Sequence, residues 1–183
     1  QYMLGKSPRP FDLLYWNADQ TNIPGEVHKR YLKDCYSDNK LSSGDFDLLG
    51  EKIDLKNVKI PVMVQASRDD HICPFESVYR TATVFGGDTK FVLSGSGHIA
   101  GVVNHPDSKK YQHWTGGKIT PTGAEWLETA EEHPGSWWPY WWDWLRPKSG
   151  KKKAAVEPKD MGLGAAPGSY VRVRLQDIKL PLK

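Results

Sequence analysis

The sequence predicts an α/β protein with a mostly parallel sheet, and three observations carry that prediction. Ile60-Pro-Val-Met-Val-Gln-Ala is an apolar run of strand length, of the kind that a parallel sheet buries on both faces. A second short strand, Lys90-Phe-Val-Leu, follows after a helix-length interval opened by Pro74 and closed by Gly86-Gly87-Asp88. Each strand runs into a polar loop, Ser67-Arg-Asp-Asp-His after the first and Ser94-Gly-Ser-Gly-His after the second. Strand, acidic loop, helix, strand and histidine loop make a βαβ unit, whose parallel strands bring both loops to one edge of the sheet.

Residues 1–57 read as mixed and mostly helical, punctuated by Pro8, Pro10, Pro24 and Gly25. A helix from Glu26 to about Tyr36 sets Val27, Tyr31 and Cys35 on one apolar face, which places Cys35 in the core. Ser37-Asp38-Asn39 ends it, and Phe46 to Leu55 forms short extended pieces around Gly50, a small ribbon. Pro61 belongs at the start of the first sheet strand, because proline lacks a ladder donor. Pro74 fits the first turn of a helix reaching about Phe85. Gly95 and Gly97 are expected to give the histidine loop its sharp turn. Residues 107–145 form a covering segment with seven tryptophans, Trp114 and Trp126 among them. The dense run Trp137 to Trp144 is expected to pack mostly on the sheet, with one or two rings exposed. Past Pro147 the chain turns Lys-, Ala-, Gly- and Pro-rich, and Tyr170-Val-Arg-Val-Arg-Leu alternates as an edge strand would.

Composition narrows the functional classes. The chain has 183 residues, 38% hydrophobic and 26% charged, enough for a packed core. No apolar run approaches the roughly 20 residues that a membrane-spanning helix needs. The charge divides: 15 Lys/Arg against 19 Asp/Glu over residues 1–145, and 10 against 3 over 146–183. No nucleic-acid-binding pattern accompanies the basic tail, so no nucleic-acid partner is expected. Two cysteines, Cys35 and Cys73, form neither a disulfide framework nor a C-x-x-C pair, and His105, His113 and His133 lack metal-ligand spacing. No metal and no cofactor are expected. Starting at Gln1 without a signal pattern, the chain reads as part of a longer cytoplasmic polypeptide.

Asp70 and His98, 28 positions apart, stand where the last two members of a nucleophile–Asp–His triad stand in the chain order of α/β-hydrolases. An imidazole can take a proton from a thiol or hydroxyl and return it, while the carboxylate fixes its tautomer. The same spacing fits a loop Asp and a loop His in ordinary surface hydrogen bonds. A nucleophile is missing: Ser94-Gly-Ser-Gly lacks the leading glycine of an elbow and leads into a histidine, not a helix. Cys73 has no glycines around it and reads as a buried structural cysteine. His71, beside Asp70, is a candidate to support the loop.

Four stretches carry a family resemblance. Phe11-Asp-Leu-Leu-Tyr-Trp-Asn-Ala-Asp-Gln-Thr-Asn-Ile-Pro-Gly, Asp69-Asp-His-Ile-Cys-Pro, Phe91-Val-Leu-Ser-Gly-Ser-Gly-His-Ile-Ala-Gly-Val-Val-Asn and Gly135-Ser-Trp-Trp-Pro resemble the C-terminal part of a polyhydroxyalkanoate synthase. The ending Ala166-Pro-Gly-Ser-Tyr-Val is similar to that of the single-subunit, short-chain class I type. The resemblance implies the C-terminal part of an α/β-hydrolase fold with part of a helical cap. Residues 1–57 would be the distal cap, 58–145 the core half carrying Asp70 and His98, and 146–183 a basic tail. It implies an acyltransferase that polymerises (R)-3-hydroxyacyl-CoA into polyester and releases coenzyme A, with no cofactor beyond the substrate's own CoA. The nucleophilic cysteine would lie upstream in a G-x-C-x-G elbow; neither Cys35 nor Cys73 matches it. Ile99, Asn104 and His71 would support or line the substrate site. The growing polyester, the granule surface and a second copy bound through the cap would be the partners. A thioesterase or depolymerase of the same fold, or a non-catalytic granule-associated fragment, are the competing readings.

Overall fold

A computed structural model describes residues 2–6, 16–17, 20–157, 161–162, 164–169 and 172–173. Residues 11–15 and 18–19 of the Phe11–Gly25 motif, and most of the alternating piece from Tyr170 to Leu175, lie outside the described residues. The chain divides into two compact units, Gln1–Trp142 and Asp143–Lys183.

Helix α1 spans Gly25–Tyr31 and continues as a π-helical turn over Leu32–Ser37. The face expected in the core is not buried: Val27 and Tyr31 are exposed and Cys35 is only half-buried. A π turn advances by i→i+5, so Cys35 no longer continues the row started by Val27 and Tyr31. The buried side chain of this segment is a carboxylate. Asp34 accepts from Arg30 Nε at 3.1 Å and Lys40 Nζ at 2.6 Å, and these hydrogen bonds hold its pKa below the ordinary value. Helix α2, Lys40–Ser43, leads to the predicted ribbon, β1 Phe46–Leu48 antiparallel to β2 Glu51–Ile53.

The main sheet has the order β3-β4-β5-β6. Strands β3, Val62–Ser67, and β4, Thr89–Ser94, pair in parallel as the sequence predicts, with Val64 opposite Phe91 and Ser67 opposite Ser94. The remaining pairings correct the expectation of a mostly parallel sheet. Strand β5, Gln112–Thr115, runs antiparallel to β4, and β6, Glu131–Pro134, antiparallel to β5. A parallel partner needs a crossover that returns to the starting end. Here the chain reverses after the histidine loop, and α4, Gly123–Thr129, leads into β6 after a single residue, Ala130. The helix between β3 and β4 is also shorter than expected. Pro74 stands just before it, α3 covers Phe75–Tyr79, and Arg80–Thr83 tightens into a 3-10 turn.

The core sits between β3–β4 and the two helices α3 and α4. Val64, Ala66, Phe91 and Leu93 from the strands meet Tyr79, Ala82, Trp114 and Trp126. Phe91 stands edge-on to both Tyr79 and Trp126, at ring-centroid distances of 4.9 and 4.8 Å. The Tyr79 hydroxyl donates to Thr120 O at 3.0 Å and accepts from Thr120 N at 2.9 Å, so its polar end is satisfied inside the core. In helix α5, Trp138–Leu145, and the residue before it, two rings are exposed, as expected, Trp141 and Trp142, while Trp137, Trp138 and Trp144 are half-buried and no residue of the helix is fully buried. In the second unit Lys148 Nζ lies 4.5 Å from the Trp144 ring centroid and donates to Trp144 O at 3.0 Å.

Two expectations about stability follow from this packing. Trp126→Ala should cost about 3–5 kcal/mol, because the ring is wholly buried and its removal leaves a cavity between two aromatic neighbours. Trp142→Ala, at a ring 53% exposed, should cost far less; urea midpoints of the two variants compare them.

His113 gives a pH dependence. Burial lowers its pKa, opposed by the hydrogen bond from its Nδ1–H to Gly135 O and reinforced by repulsion from His133. Folding therefore favours neutral His113, and the unfolded chain, titrating near 6.5, binds the proton first. Stability is full above that value and should fall as pH drops from about 6.5 towards the lowered folded value. His113→Gln should flatten the slope of denaturation midpoint against pH in that window.

Candidate active site

The parallel ladder does not stop at the strand ends. Arg68 N–H donates to Ser94 O at 2.8 Å and Asp69 N–H to Ser96 O at 3.0 Å, so the acidic and histidine loops are stitched together. Beneath them Ser94 Oγ donates to Ala66 O at 3.1 Å, and Gln65 Nε2 donates to Ser94 Oγ at 2.7 Å. A single bond in the acidic loop, Asp70 N–H to Ser67 O at 3.2 Å, turns the chain so that the Asp70 side chain faces the histidine loop.

Asp70 and His98 meet there. His98 Nδ1–H donates to Asp70 Oδ2 at 2.8 Å. The other carboxylate oxygen, Oδ1, accepts from Ile72 N and Cys73 N, both at 2.9 Å. The Cys73 amide is the main cause that holds the Asp70 pKa below the ordinary carboxylate value, with His98 and the Ile72 amide adding to it against desolvation. An ionised acceptor on Nδ1 fixes the tautomer and leaves the lone pair of Nε2 free to take a proton. The Asp70 side chain is 7% exposed and that of His98 45%, so the carboxylate is shielded and the base is reachable. A cleft of about 480 Å3 lined by Leu41, Lys52, Asp54 and Val84 does not include the pair.

The histidine loop turns differently from the sequence expectation. Neither Gly95 nor Gly97 has a positive φ; Ser96 does, at 76°. Gly95 stands in a tight place for another reason: a Cβ there would lie 3.0 Å from Gln112 O, where Gly95 N–H donates across to β5 at 2.7 Å. After His98 the chain makes a tight turn, Gly101 N–H to Gly97 O at 2.8 Å, and this turn is held from outside. Val102 O accepts from both indoles, Trp137 Nε1 at 3.2 Å and Trp138 Nε1 at 2.9 Å.

The remaining candidates divide. His71 and Ile99 are exposed beside the pair in sequence. Asn104 is buried and donates through Nδ2 to Lys110 O at 3.0 Å, closing the following loop. Cys73 is exposed, not buried as its lack of an elbow suggested, and its sulfur lies within 4.8 Å of ligand atoms of both Asp70 and His98. The missed signal is local. An aspartate that caps the amides two and three residues on brings residue i+3 round beside its own carboxylate. The indole pair on Val102 has no signal in the sequence, since it depends on how α5 returns to the loop.

Gly101 tests the geometry of the turn. A Cβ there would stand 2.6 Å from Ser67 Cβ and 2.8 Å from Gly97 O, whereas one on Gly97 meets only Asp69 O at 3.6 Å. Gly101→Ala should cost about 1–3 kcal/mol and perturb the His98 Nδ1 proton resonance, while Gly97→Ala leaves both nearly unchanged. Denaturation midpoints and proton NMR of the two variants read this.

Comparison with known proteins finds relatives of the chain. No family model matches the chain. The chain is 49% identical over 176 residues to the poly(3-hydroxyalkanoate) polymerase subunit PhaC of Rhizobium etli, and 47% identical over 180 residues to the poly(3-hydroxyalkanoate) polymerase of Methylorubrum extorquens. It is 40% identical over 180 residues to the PhaC subunit of Cupriavidus necator. Each match takes in 94% of this chain, and the chain spans about 28–30% of the length of these curated relatives. The chain belongs to the poly(3-hydroxyalkanoate) polymerase family, as the counterpart of one segment of its members.

Proposed function

We propose that the protein to which this chain belongs is an acyltransferase that polymerises (R)-3-hydroxyacyl-CoA thioesters, short-chain ones such as 3-hydroxybutyryl-CoA, and releases coenzyme A. The observation that carries the reading is the 2.8 Å hydrogen bond between His98 Nδ1 and Asp70 Oδ2 at the ends of two parallel strands, in a chain related to polymerases over 94% of its length. His98 is the general base. Its free Nε2 takes the proton of a cysteine thiol supplied by a part of the polypeptide beyond this chain, and the thiolate attacks the acyl carbonyl. Coenzyme A leaves with that proton from His98. The 3-hydroxyl of the bound acyl unit, giving its proton to His98 or Asp70, then attacks the next thioester, whose sulfur leaves as a thiol with the proton returned. Asp70 holds the tautomer and stabilises the imidazolium as it forms.

In this reading the βαβ unit is the C-terminal part of an α/β-hydrolase core over residues 58–145, residues 1–57 belong to a cap through which two copies associate, and 146–183 form a basic tail. CoA enters as part of the substrate, so no separate cofactor takes part. The growing polyester and the surface of its granule in the cytoplasm are the partners.

The test replaces His98 in the complete polymerase. His98→Ala should lower CoA release from 3-hydroxybutyryl-CoA by about 100- to 10,000-fold, the range that loss of a general base produces, and abolish polymer. Product analysis of the parent separates the competing chemistry. Polyester supports acyl transfer to a hydroxyl, while free hydroxy acid alone would make the protein a thioesterase.

A further inference from the structure

Three side chains of different ligand types converge at the strand ends. One oxygen of Asp70, Sγ of Cys73 and a ring nitrogen of His98 all lie within 4.8 Å of one another. We propose that Asp70, Cys73 and His98 form a binding site for a thiophilic divalent cation, zinc above all, which seizes the Asp–His pair in place of its shared proton.

The chemistry of the donors selects the ion. Thiolate and imidazole suit zinc and its soft neighbours, whereas magnesium and calcium prefer oxygen alone. Zinc bonds of 2.0–2.3 Å in a tetrahedron put ligand atoms about 3.3–3.7 Å apart, so this cluster closes on the ion by small side-chain movements. His98 Nδ1 and Asp70 Oδ2 are already 2.8 Å apart and need only to open slightly. Two anionic ligands, carboxylate and thiolate, neutralise the dication, and the fourth position is left to water.

The surroundings suit a ligand set. Asp70 Oδ1 is held by the amides of Ile72 and Cys73, which orients the carboxylate and leaves Oδ2 for the metal, as outer hydrogen bonds do in metal sites. Cys73 and His98 are exposed, which gives the ion its entry. The other histidine pair is less suited. His113 and His133 rings lie 5.3 Å apart, but Gly135 O and Thr115 Oγ1 engage their nitrogens.

The proton balance is definite. His98 gives up the Nδ1 proton and carries one on Nε2 instead, remaining neutral. The Cys73 thiol loses its proton to solvent as the metal–sulfur bond forms. Each zinc bound therefore releases one proton, and Nε2 is no longer a base.

Titration of the full chain under reducing conditions tests this, with Zn2+ followed by calorimetry and Co2+ by absorption. The expected result is one cation per chain, a thiolate-to-cobalt charge-transfer band, one proton released per Zn2+ across buffers of different ionisation enthalpy, and no binding of Mg2+. Cys73→Ser should abolish the band and weaken Zn2+ binding by more than the roughly 10–100-fold that loss of an outer-shell partner costs, and Asp70→Asn should weaken it too. Cys35→Ser, a change at the other cysteine, should leave band and affinity in place. A Co2+ complex of the unsubstituted chain without the thiolate band overturns the proposal whether or not any variant folds. So does a band that disappears with Cys35→Ser, or unchanged Zn2+ affinity in Cys73→Ser. No turnover enters this measurement, so its failure leaves the polymerase reading standing, and a failed polymerase test leaves the metal site standing.

Discussion

The parallel pairing of β3 with β4 is the constraint on which the rest of this chain depends. Its register sets Ser67 opposite Ser94, and the ladder runs on through Arg68 and Asp69 into the histidine loop. A slip of one residue would flip every side chain of one strand to the other face and part Asp70 from His98. What holds the register is hydrophobic. Phe91, wedged edge-on between Tyr79 and Trp126, can occupy that space only when β4 is in place, because Ala66 and Val64 of β3 complete the same cluster. Burial of the aromatic trio thus fixes a sheet, and the sheet fixes a hydrogen bond at its edge.

The polar edge is built to keep a shielded carboxylate ionised. Desolvation alone would raise the Asp70 pKa, yet two amides on one oxygen and an imidazole on the other reverse the sign. The histidine side is braced from the opposite direction. Trp137 and Trp138 spend their indole N–H groups on one carbonyl, Val102 O, and so hold the end of the turn that begins at His98. This use of tryptophan explains why the run is not a core element. The rings act as long rigid donors lying half-exposed across a loop, and the filled interior is left to Trp114 and Trp126.

How much of this was legible in the sequence varied with the physics of each element. β3 and β4 announce themselves because a strand buried on both faces must be a continuous apolar run. The strand-end placement of Asp70 and His98 followed from topology alone. β5 and β6 do not announce themselves: Gln112-His-Trp-Thr and Glu131-Glu-His-Pro are short and polar, and their cross-strand pairing of His113 with His133 owes nothing to apolar alternation. The helix of Val27, Tyr31 and Cys35 has the right spacing for a buried face, but a π turn breaks the row and a clamped carboxylate, Asp34, occupies the interior instead. The glycines beside His98 were legible as a turn, yet the positive φ falls on Ser96 between them, and Gly95 instead allows a close approach to Gln112 of β5.

Cys73 shows what an elbow-based reading of a cysteine leaves out. A nucleophile needs glycines around it to stand clear of a sharp turn, and Cys73 has none, so its neighbours in sequence argue against chemistry. Its neighbours in space argue otherwise, since the Asx-type turn that caps Asp70 delivers the thiol to the same few ångströms as the Asp–His hydrogen bond. The backbone amides and the strand register preorganise that hydrogen bond before any third group arrives. The third group then decides the outcome. A thiol placed at Nε2 meets a base, whereas a thiol placed beside Nδ1 and Oδ2 meets two metal ligands. Cys73 brings its sulfur within 4.8 Å of a carboxylate oxygen of Asp70 and a ring nitrogen of His98, which is why it reads as a candidate ligand.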